Sequence, residues 1–156
     1  MINFSDDIFY LMIQFCLGFI ITFAFAIFFN APKKSLIDCS LIGAMAWLVY
    51  IWGRNLTGDI VVGTLIAAVL VGLAAGNASK RLKMPATVFI YTGIIPLIPG
   101  YGLYYTMHHI VTKNYIFGAK TGVDTLLQAG AIAIGILLAS VFSDSIRRVK
   151  IQRRKK

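Results

Sequence analysis

The chain has 156 residues, of which 58% are hydrophobic and 13% are charged, and its mean hydropathy is +0.79. A soluble domain of this length buries only part of its surface, so the composition excludes a water-soluble globular protein and predicts a single membrane domain over residues 1–156. The chain offers no nucleophile beside a base, no metal-ligand set and no phosphate-binding glycine loop. We therefore expect neither an enzyme nor a metal or cofactor site.

Five apolar runs follow one another along the chain. The first, residues 8–29, is 22 uncharged residues long, which is about 33 Å of helix against a hydrocarbon core of about 30 Å. It has no basic start and is too long for a signal peptide, so we expect it to be retained. The other runs are 37–53, 60–78, 86–107 and 123–142. Backbone groups in lipid must be paired within their own segment, so the sequence predicts an all-α protein of five transmembrane helices.

Basic residues are distributed unevenly between the two sides that five spans would create. Twelve of the 15 fall on one side, namely Lys33, Lys34, Lys80, Arg81, Lys83 and the seven in the tail at residues 144–156. The other side holds Arg54, Lys113 and Lys120. The positive-inside rule predicts a cytoplasmic C-terminus and an N-terminus, with Asp6 and Asp7, on the outside. The basic tail is expected to lie on anionic lipid headgroups rather than to bind nucleic acid.

The fourth run contains Pro96, Pro99 and Gly100 near its middle. A proline cannot donate a backbone hydrogen bond, so Pro96 would free the carbonyl of Thr92 and Pro99 that of Ile95. The fourth helix is therefore predicted to be broken at Pro96–Gly100. Such an interruption at membrane depth is tolerated where it is buried in protein or lines a watery cavity, as in secondary transporters.

The two half-helices of a broken span would present opposite partial charges to a ligand. Bare carbonyls at the end of the first half attract a cation, and bare N–H groups at the start of the second attract an anion, so the pair suits a zwitterion. The predicted substrate-binding residues are Tyr91, Thr92, Ile95, Pro96, Pro99, Gly100, Tyr101 and Gly102. The alternative is a kinked structural helix, since proline and glycine are frequent in transmembrane spans.

Three aspartates lie close enough to the membrane interior to couple transport to protons: Asp38, Asp59 and Asp124. Each also has a structural interpretation. Asp38 follows Lys34 by four residues, which favours an interfacial ion pair between them. Asp59 and Asp124 stand where helices are predicted to begin, and Thr121 with Asp124 has capping-box spacing, which favours helix caps at both positions.

Four segments of the chain resemble the threonine/serine exporter family, in its small-subunit or C-terminal-half type. They are FFNAPKK at 28–34, GAMAWLVY at 43–50, MPATVFIYTGIIPLIPG at 84–100 and GAKTGVDTLLQAGAIAIGILLA at 118–139. The resemblance implies five spans in a bacterial cytoplasmic membrane and export of small hydrophilic solutes, with threonine and serine as the first candidates. It also implies a separate, larger membrane subunit, because a larger domain precedes this half in single-chain members. The alternatives are export of a dicarboxylate such as succinate, or a scaffold subunit that transports nothing.

Overall fold

The computed structural model describes residues 4–154, with side chains from residue 8 to residue 143, and the regular elements in this range are all helical. The helices are α1 Phe4–Phe28, α2 Leu36–Thr57, α3 Ile60–Leu82, α4 Ala86–Gly93, α5 Gly100–Val111 and α6 Tyr115–Arg154. Two short 3-10 turns, Lys33–Ser35 and Ile95–Leu97, precede α2 and follow α4. The predicted contacts of Asp6, Asp7 and the basic tail with water and lipid concern side chains outside the described part.

Several helices are long and apolar enough to cross a membrane. Within the described residues, four qualify singly: Ile8–Phe28, Lys33–Thr57, Ile60–Leu82 and Tyr115–Ser143. A fifth candidate is the pair Ala86–Leu97 and Gly100–Val111, whose axes are bent by 55°. Large apolar side chains such as Phe28 and Leu126 are largely exposed on the outside of the bundle, as expected where the solvent is lipid. The chain is therefore an all-α, multi-pass membrane protein.

Several helices extend beyond the apolar runs that predicted them, and α2 and α6 show the reason. α2 continues to Thr57 rather than ending at residue 53, and it stops where Gly58 adopts a φ of 70° and donates its N–H to the Arg54 carbonyl at 2.8 Å. α6 begins at Tyr115, eight residues before the predicted start of the fifth run. Charged residues such as Arg54 and Lys120 end an apolar run, but they do not end a helix, because only the backbone and its caps do so.

The early start of α6 makes the predicted cap at Asp124 wrong. Asp124 lies in the third turn of the helix, and Thr121 donates its hydroxyl to the Phe117 carbonyl at 2.5 Å instead of capping a helix start. The cap predicted at Asp59 is confirmed, because Oδ1 of Asp59 accepts a hydrogen bond from the Val61 N–H at 2.7 Å at the start of α3.

The Asp59 cap yields a stability prediction. Asp59→Ala is expected to lower the free energy of unfolding by about 1 kcal/mol, because the N–H of Val61 loses its acceptor, whereas Asp59→Asn keeps an equally good cap and stays within a few tenths of wild type. Unfolding of the purified protein in detergent, followed by circular dichroism, measures both. Equal stabilities of the alanine and asparagine variants would contradict the capping role.

Asp38 forms an ion pair, but its partner is Arg81 rather than the predicted Lys34. Lys34 belongs to the 3-10 turn before α2, so it does not share a helical face with Asp38. Arg81 instead lies in the last turn of α3, which packs against α2. The Arg81 side chain is 67% exposed, and a pair this open contributes at most about 1 kcal/mol.

Helices α3 and α6 pack closely through small residues. Gly135 of α6 faces Ala68 and Gly72 of α3 faces Ala139, so both helices run in the same direction along their contact. A Cβ placed on Gly135 would lie 2.6 Å from the Cβ of Ala68 and 3.0 Å from the Leu65 carbonyl oxygen. Such contacts let helix backbones approach in lipid, where the hydrophobic effect does not drive helices together.

The bent segment, α4 and α5 together, runs from the C-terminal end of α3 to the N-terminal end of α6. At its start, the N–H of Met84 donates to the Ser79 carbonyl at 3.2 Å, so α4 begins where α3 ends. At its finish, Gly118 of α6 contacts His109 and Ile110, so α5 ends beside the first turn of α6. α4 packs against α2 and α3, whereas α5 packs against α6. The bend therefore separates two half-helices that have different neighbours.

Candidate functional site

The backbone at the bend leaves the α-helical hydrogen-bonding pattern. The N–H of Leu97 donates to the Ile94 carbonyl at 2.9 Å, and the N–H of Ile98 donates to the Ile95 carbonyl at 3.3 Å. Ile98 is extended, with φ −61° and ψ 127°, and the Gly100 N–H donates to the Ile98 carbonyl at 2.7 Å. The bend lies within Pro96–Gly100, but its backbone groups are partly satisfied locally, so the Ile95 carbonyl and the Gly100 N–H are not bare.

A cavity of about 670 Å³ opens beside the bend. Five of the eight predicted substrate-binding residues line it: Pro96, Pro99, Gly100, Tyr101 and Gly102. The loop that joins α2 to α3 and one face of α6 supply further lining residues. The volume falls within the range of roughly 300–1,000 Å³ that is typical of small-molecule sites.

Charged groups of both signs line this cavity. Arg54 comes from the last turn of α2, Asp59 from the start of α3 and Asp124 from α6. Among side chains 8–143, the ion pair found joins Arg81 to Asp38, so neither Arg54 nor Asp124 is neutralised by another side chain in that range. The structure thus brings Asp59 and Asp124 to the bend, whereas Asp38 does not line this cavity.

A polar stripe on α6 forms one wall. Thr121, Asp124, Thr125 and Gln128 line the cavity with spacings of three and four residues, which place them on one face of the helix. The Gln128 Nε2 donates to the Thr64 hydroxyl of α3 at 3.2 Å, and the Thr125 hydroxyl donates to the Thr121 carbonyl at 2.6 Å. Gly102 packs against Thr125, so α5 lies directly on this stripe.

Sequence reasoning missed Arg54, Thr125 and Gln128 as residues of the site. The helical spacing of the polar residues in α6 contained the necessary information, but the assumption that Thr121 and Asp124 capped a helix concealed it. Arg54 directly follows the apolar run 37–53, where its charge indicates only the side of the membrane on which that run ends. Trp47 and Tyr50 also line the cavity, with their rings stacked at a centroid distance of 5.2 Å.

The other three predicted residues line a different space. Tyr91, Thr92 and Ile95 border a second, mostly apolar cavity of about 500 Å³ between α4 and the segment that follows α1. Thr92 is buried and donates its hydroxyl to the Val88 carbonyl at 2.9 Å. The structure therefore does not bring the end of α4 and the start of α5 into one cavity, as the single zwitterion site required, because each half-helix faces different neighbours.

Comparison with known proteins identifies the family. A family model described as "Threonine/Serine exporter, ThrE" matches residues 14–142. The chain belongs to the threonine/serine exporter family. This confirms the resemblance found in the sequence and makes the chain a member of a family of membrane transporters. The matched range contains every residue named above for the first cavity.

Two bacterial relatives illustrate the similarity. A protein named threonine/serine exporter from Corynebacterium glutamicum is 27% identical over 125 residues, which is 80% of this chain and 25% of the relative. An uncharacterized protein from Haemophilus influenzae is 28% identical over 122 residues, which is 73% of this chain and 41% of the relative. The chain thus spans less than half the length of each. No solved structure matches the chain.

Proposed function

We propose that this chain is a membrane subunit of a secondary transporter that exports small hydrophilic solutes, with threonine and serine as the first candidates. The observation that carries the proposal is the cavity of about 670 Å³, which lies at a helix interruption and is lined by Arg54 and Asp124, neither of them ion-paired with a side chain of residues 8–143. Charged side chains within membrane spans characteristically mark substrate and ion pathways, and Arg54 and Asp124 belong to the candidate spans Lys33–Thr57 and Tyr115–Ser143. Membership of the exporter family supports the same activity.

In this proposal, α4 and α5 together form one interrupted span, the fourth of five. Two contacts support it: α4 begins beside the end of α3, and α5 ends beside the start of α6. Since α3 and α6 run in the same direction, these two points lie at opposite ends of the bundle. The distribution of basic residues supports an N-terminus outside and a C-terminus in the cytoplasm of a bacterial plasma membrane. The first cavity, which includes the α2–α3 loop, then opens to the outside.

Proton coupling is proposed to act through Asp124. Of the three candidate aspartates, Asp38 is paired with Arg81 and does not line the cavity, and Asp59 is engaged by the Val61 N–H. Asp124 lines the cavity without an ion-pair partner among side chains 8–143. A carboxylate in that position can hold either a substrate cation or a proton, and this competition would exchange one for the other at the outer face.

A larger membrane subunit of the same family is proposed as the partner. The support comes from the resemblance and from the relatives, since most of each relative lies outside the region matched by this chain. The proposed contacts of the basic tail are with anionic lipid headgroups. Co-purification from native membranes, followed by mass spectrometry, tests both proposals, because it identifies the partner subunit and the lipids that remain bound.

The transport proposal is tested by efflux. Cells of the source organism that lack this chain are loaded with radiolabelled threonine, and efflux is compared with and without the restored wild-type chain. We expect restoration to raise the initial efflux rate several-fold, and Asp124→Asn to abolish its dependence on the proton gradient. Parallel loading with succinate tests the dicarboxylate alternative. No change in efflux of either solute would leave only the scaffold role.

A further inference from the structure

We infer that Arg54 and Asp124 select the solute by charge, Arg54 binding its carboxylate and Asp124 its ammonium group. The inference rests on the proposed transport of small hydrophilic solutes and assigns the recognition to two side chains rather than to the backbone of the bend. Both residues line the same cavity, one on α2 and the other on α6. A zwitterionic solute would form an ion pair with each of the two side chains.

The side chains are better suited to this role than the backbone groups near the bend. The Gly100 N–H already donates to the Ile98 carbonyl, and the Ile95 carbonyl accepts from Ile98. Arg54 and Asp124 make no ion pair or side-chain hydrogen bond with the side chains described at 8–143. An arginine presents a planar fork of donors that binds a carboxylate in two places, and an aspartate accepts from an ammonium.

Charge balance in the cavity opposes dicarboxylates. One arginine and two aspartates, Asp59 and Asp124, line it, so a solute with two carboxylates would be attracted by one group and repelled by two. A zwitterion pairs each of its charges with an opposite one. Like charges placed together in a binding site disfavour the wrong ligand strongly. Thr121 and Gln128 add hydrogen-bonding groups to the same wall for a polar substituent of the solute.

Ligand binding with matched analogues tests the assignment. The probe is tritiated threonine bound to the protein purified from its own membrane with any co-purifying subunits, and the competitors are threoninol, which lacks the carboxylate, and 3-hydroxybutyrate, which lacks the ammonium. Arg54→Gln is expected to weaken threonine about tenfold or more, the effect of losing a charge-assisted hydrogen bond, and to leave threoninol within about twofold. Asp124→Asn is expected to weaken threonine and threoninol alike and to spare 3-hydroxybutyrate.

Two further variants serve as controls for this binding experiment. Lys80→Gln removes the same charge as Arg54→Gln from an exposed position outside the cavity and should leave all affinities unchanged. Asp59→Asn keeps the α3 cap and removes one of the two negative charges that line the cavity, so it should improve competition by succinate. A general loss of structure would weaken all competitors together, so the contrast between analogues identifies the direct contact.

The assignment is overturned if wild-type protein binds no threonine, or if Arg54→Gln weakens threonine and threoninol equally or weakens neither. Its failure is separable from that of the proposed function. If the wild type exports threonine but the variants do not distinguish the analogues, the proposed function stands and the roles assigned to Arg54 and Asp124 are rejected. If the variants distinguish the analogues but the wild type exports nothing, Arg54 and Asp124 remain binding residues and the proposed transport is rejected.

Discussion

Gly135→Leu is expected to abolish recovery of folded protein, whereas Gly130→Leu in the same helix should leave the yield close to wild type. A Cβ on Gly135 would lie 2.6 Å from the Ala68 Cβ, 3.0 Å from the Leu65 carbonyl oxygen and 3.1 Å from the Val69 nitrogen. Two of these three atoms belong to the α3 backbone, which cannot move aside as a flexible side chain can. A Cβ on Gly130 would meet nothing within 4 Å.

The size of the effect follows from overpacking. Inserting extra methylenes into a packed interior typically costs about 1–3 kcal/mol, and a leucine at residue 135 adds four carbons where α6 lies close to the α3 backbone. Even one such cost is a sizeable part of a typical free energy of unfolding, which is about 5–15 kcal/mol. Size-exclusion chromatography of fluorescent fusions in detergent measures the folded fraction. Equal behaviour of the two leucine variants would mean that α3 and α6 do not pack as described.

Replacing Pro96 and Pro99 together with alanine is expected to reduce threonine efflux to about a tenth of wild type or less while the protein still inserts normally. Alanine restores the missing backbone donors and removes the restriction on Ile95 and Ile98, so the segment gains access to a continuous helix. A continuous helix would carry Gly100 and Tyr101 away from the cavity wall that they form here. The loss should therefore appear in transport rather than in membrane insertion.

The chain provides a matched control for the proline substitutions. Pro32 and Pro85 lie before α2 and α4, outside the first cavity, and their joint replacement with alanine removes the same number of prolines. That control should keep most of the wild-type efflux. Protein abundance in the membrane is compared by immunoblotting of the same cells. Wild-type efflux after replacement of Pro96 and Pro99 would leave the bend as a packing feature only.

The parts of the fold that depend on local chemistry were predictable from the sequence. The cap at Asp59 follows from one side chain and a backbone N–H two residues later. The departure from helical bonding near Pro96 follows from the absence of a proline donor. Family membership also followed, because the segment MPATVFIYTGIIPLIPG carries an unusual pattern of residues.

The parts that depend on how helices pack were not predictable. The partner of Asp38 lies 43 residues away, at the far end of α3, and a local rule chose Lys34 instead. The apolar pattern predicts too late a start for α6, because Lys120 interrupts the apolar run but not the helix. The division of the predicted site between two cavities depends on the neighbours of α4 and α5, which no spacing within one segment reveals.

The most direct test of the account is whether water reaches the cavity at the bend from outside the cell. In a variant that lacks Cys16 and Cys39, a single cysteine replaces Tyr101, Gln128 or Leu127. Intact cells that carry each variant are then treated with a membrane-impermeant thiol reagent. Tyr101 and Gln128 line the cavity, and the neighbouring Leu127 does not. Labelling is expected at residues 101 and 128, where threonine should slow it, and none is expected at residue 127. Absence of labelling at Tyr101 and Gln128, with labelling at a loop cysteine introduced at Asn114, would contradict this expectation.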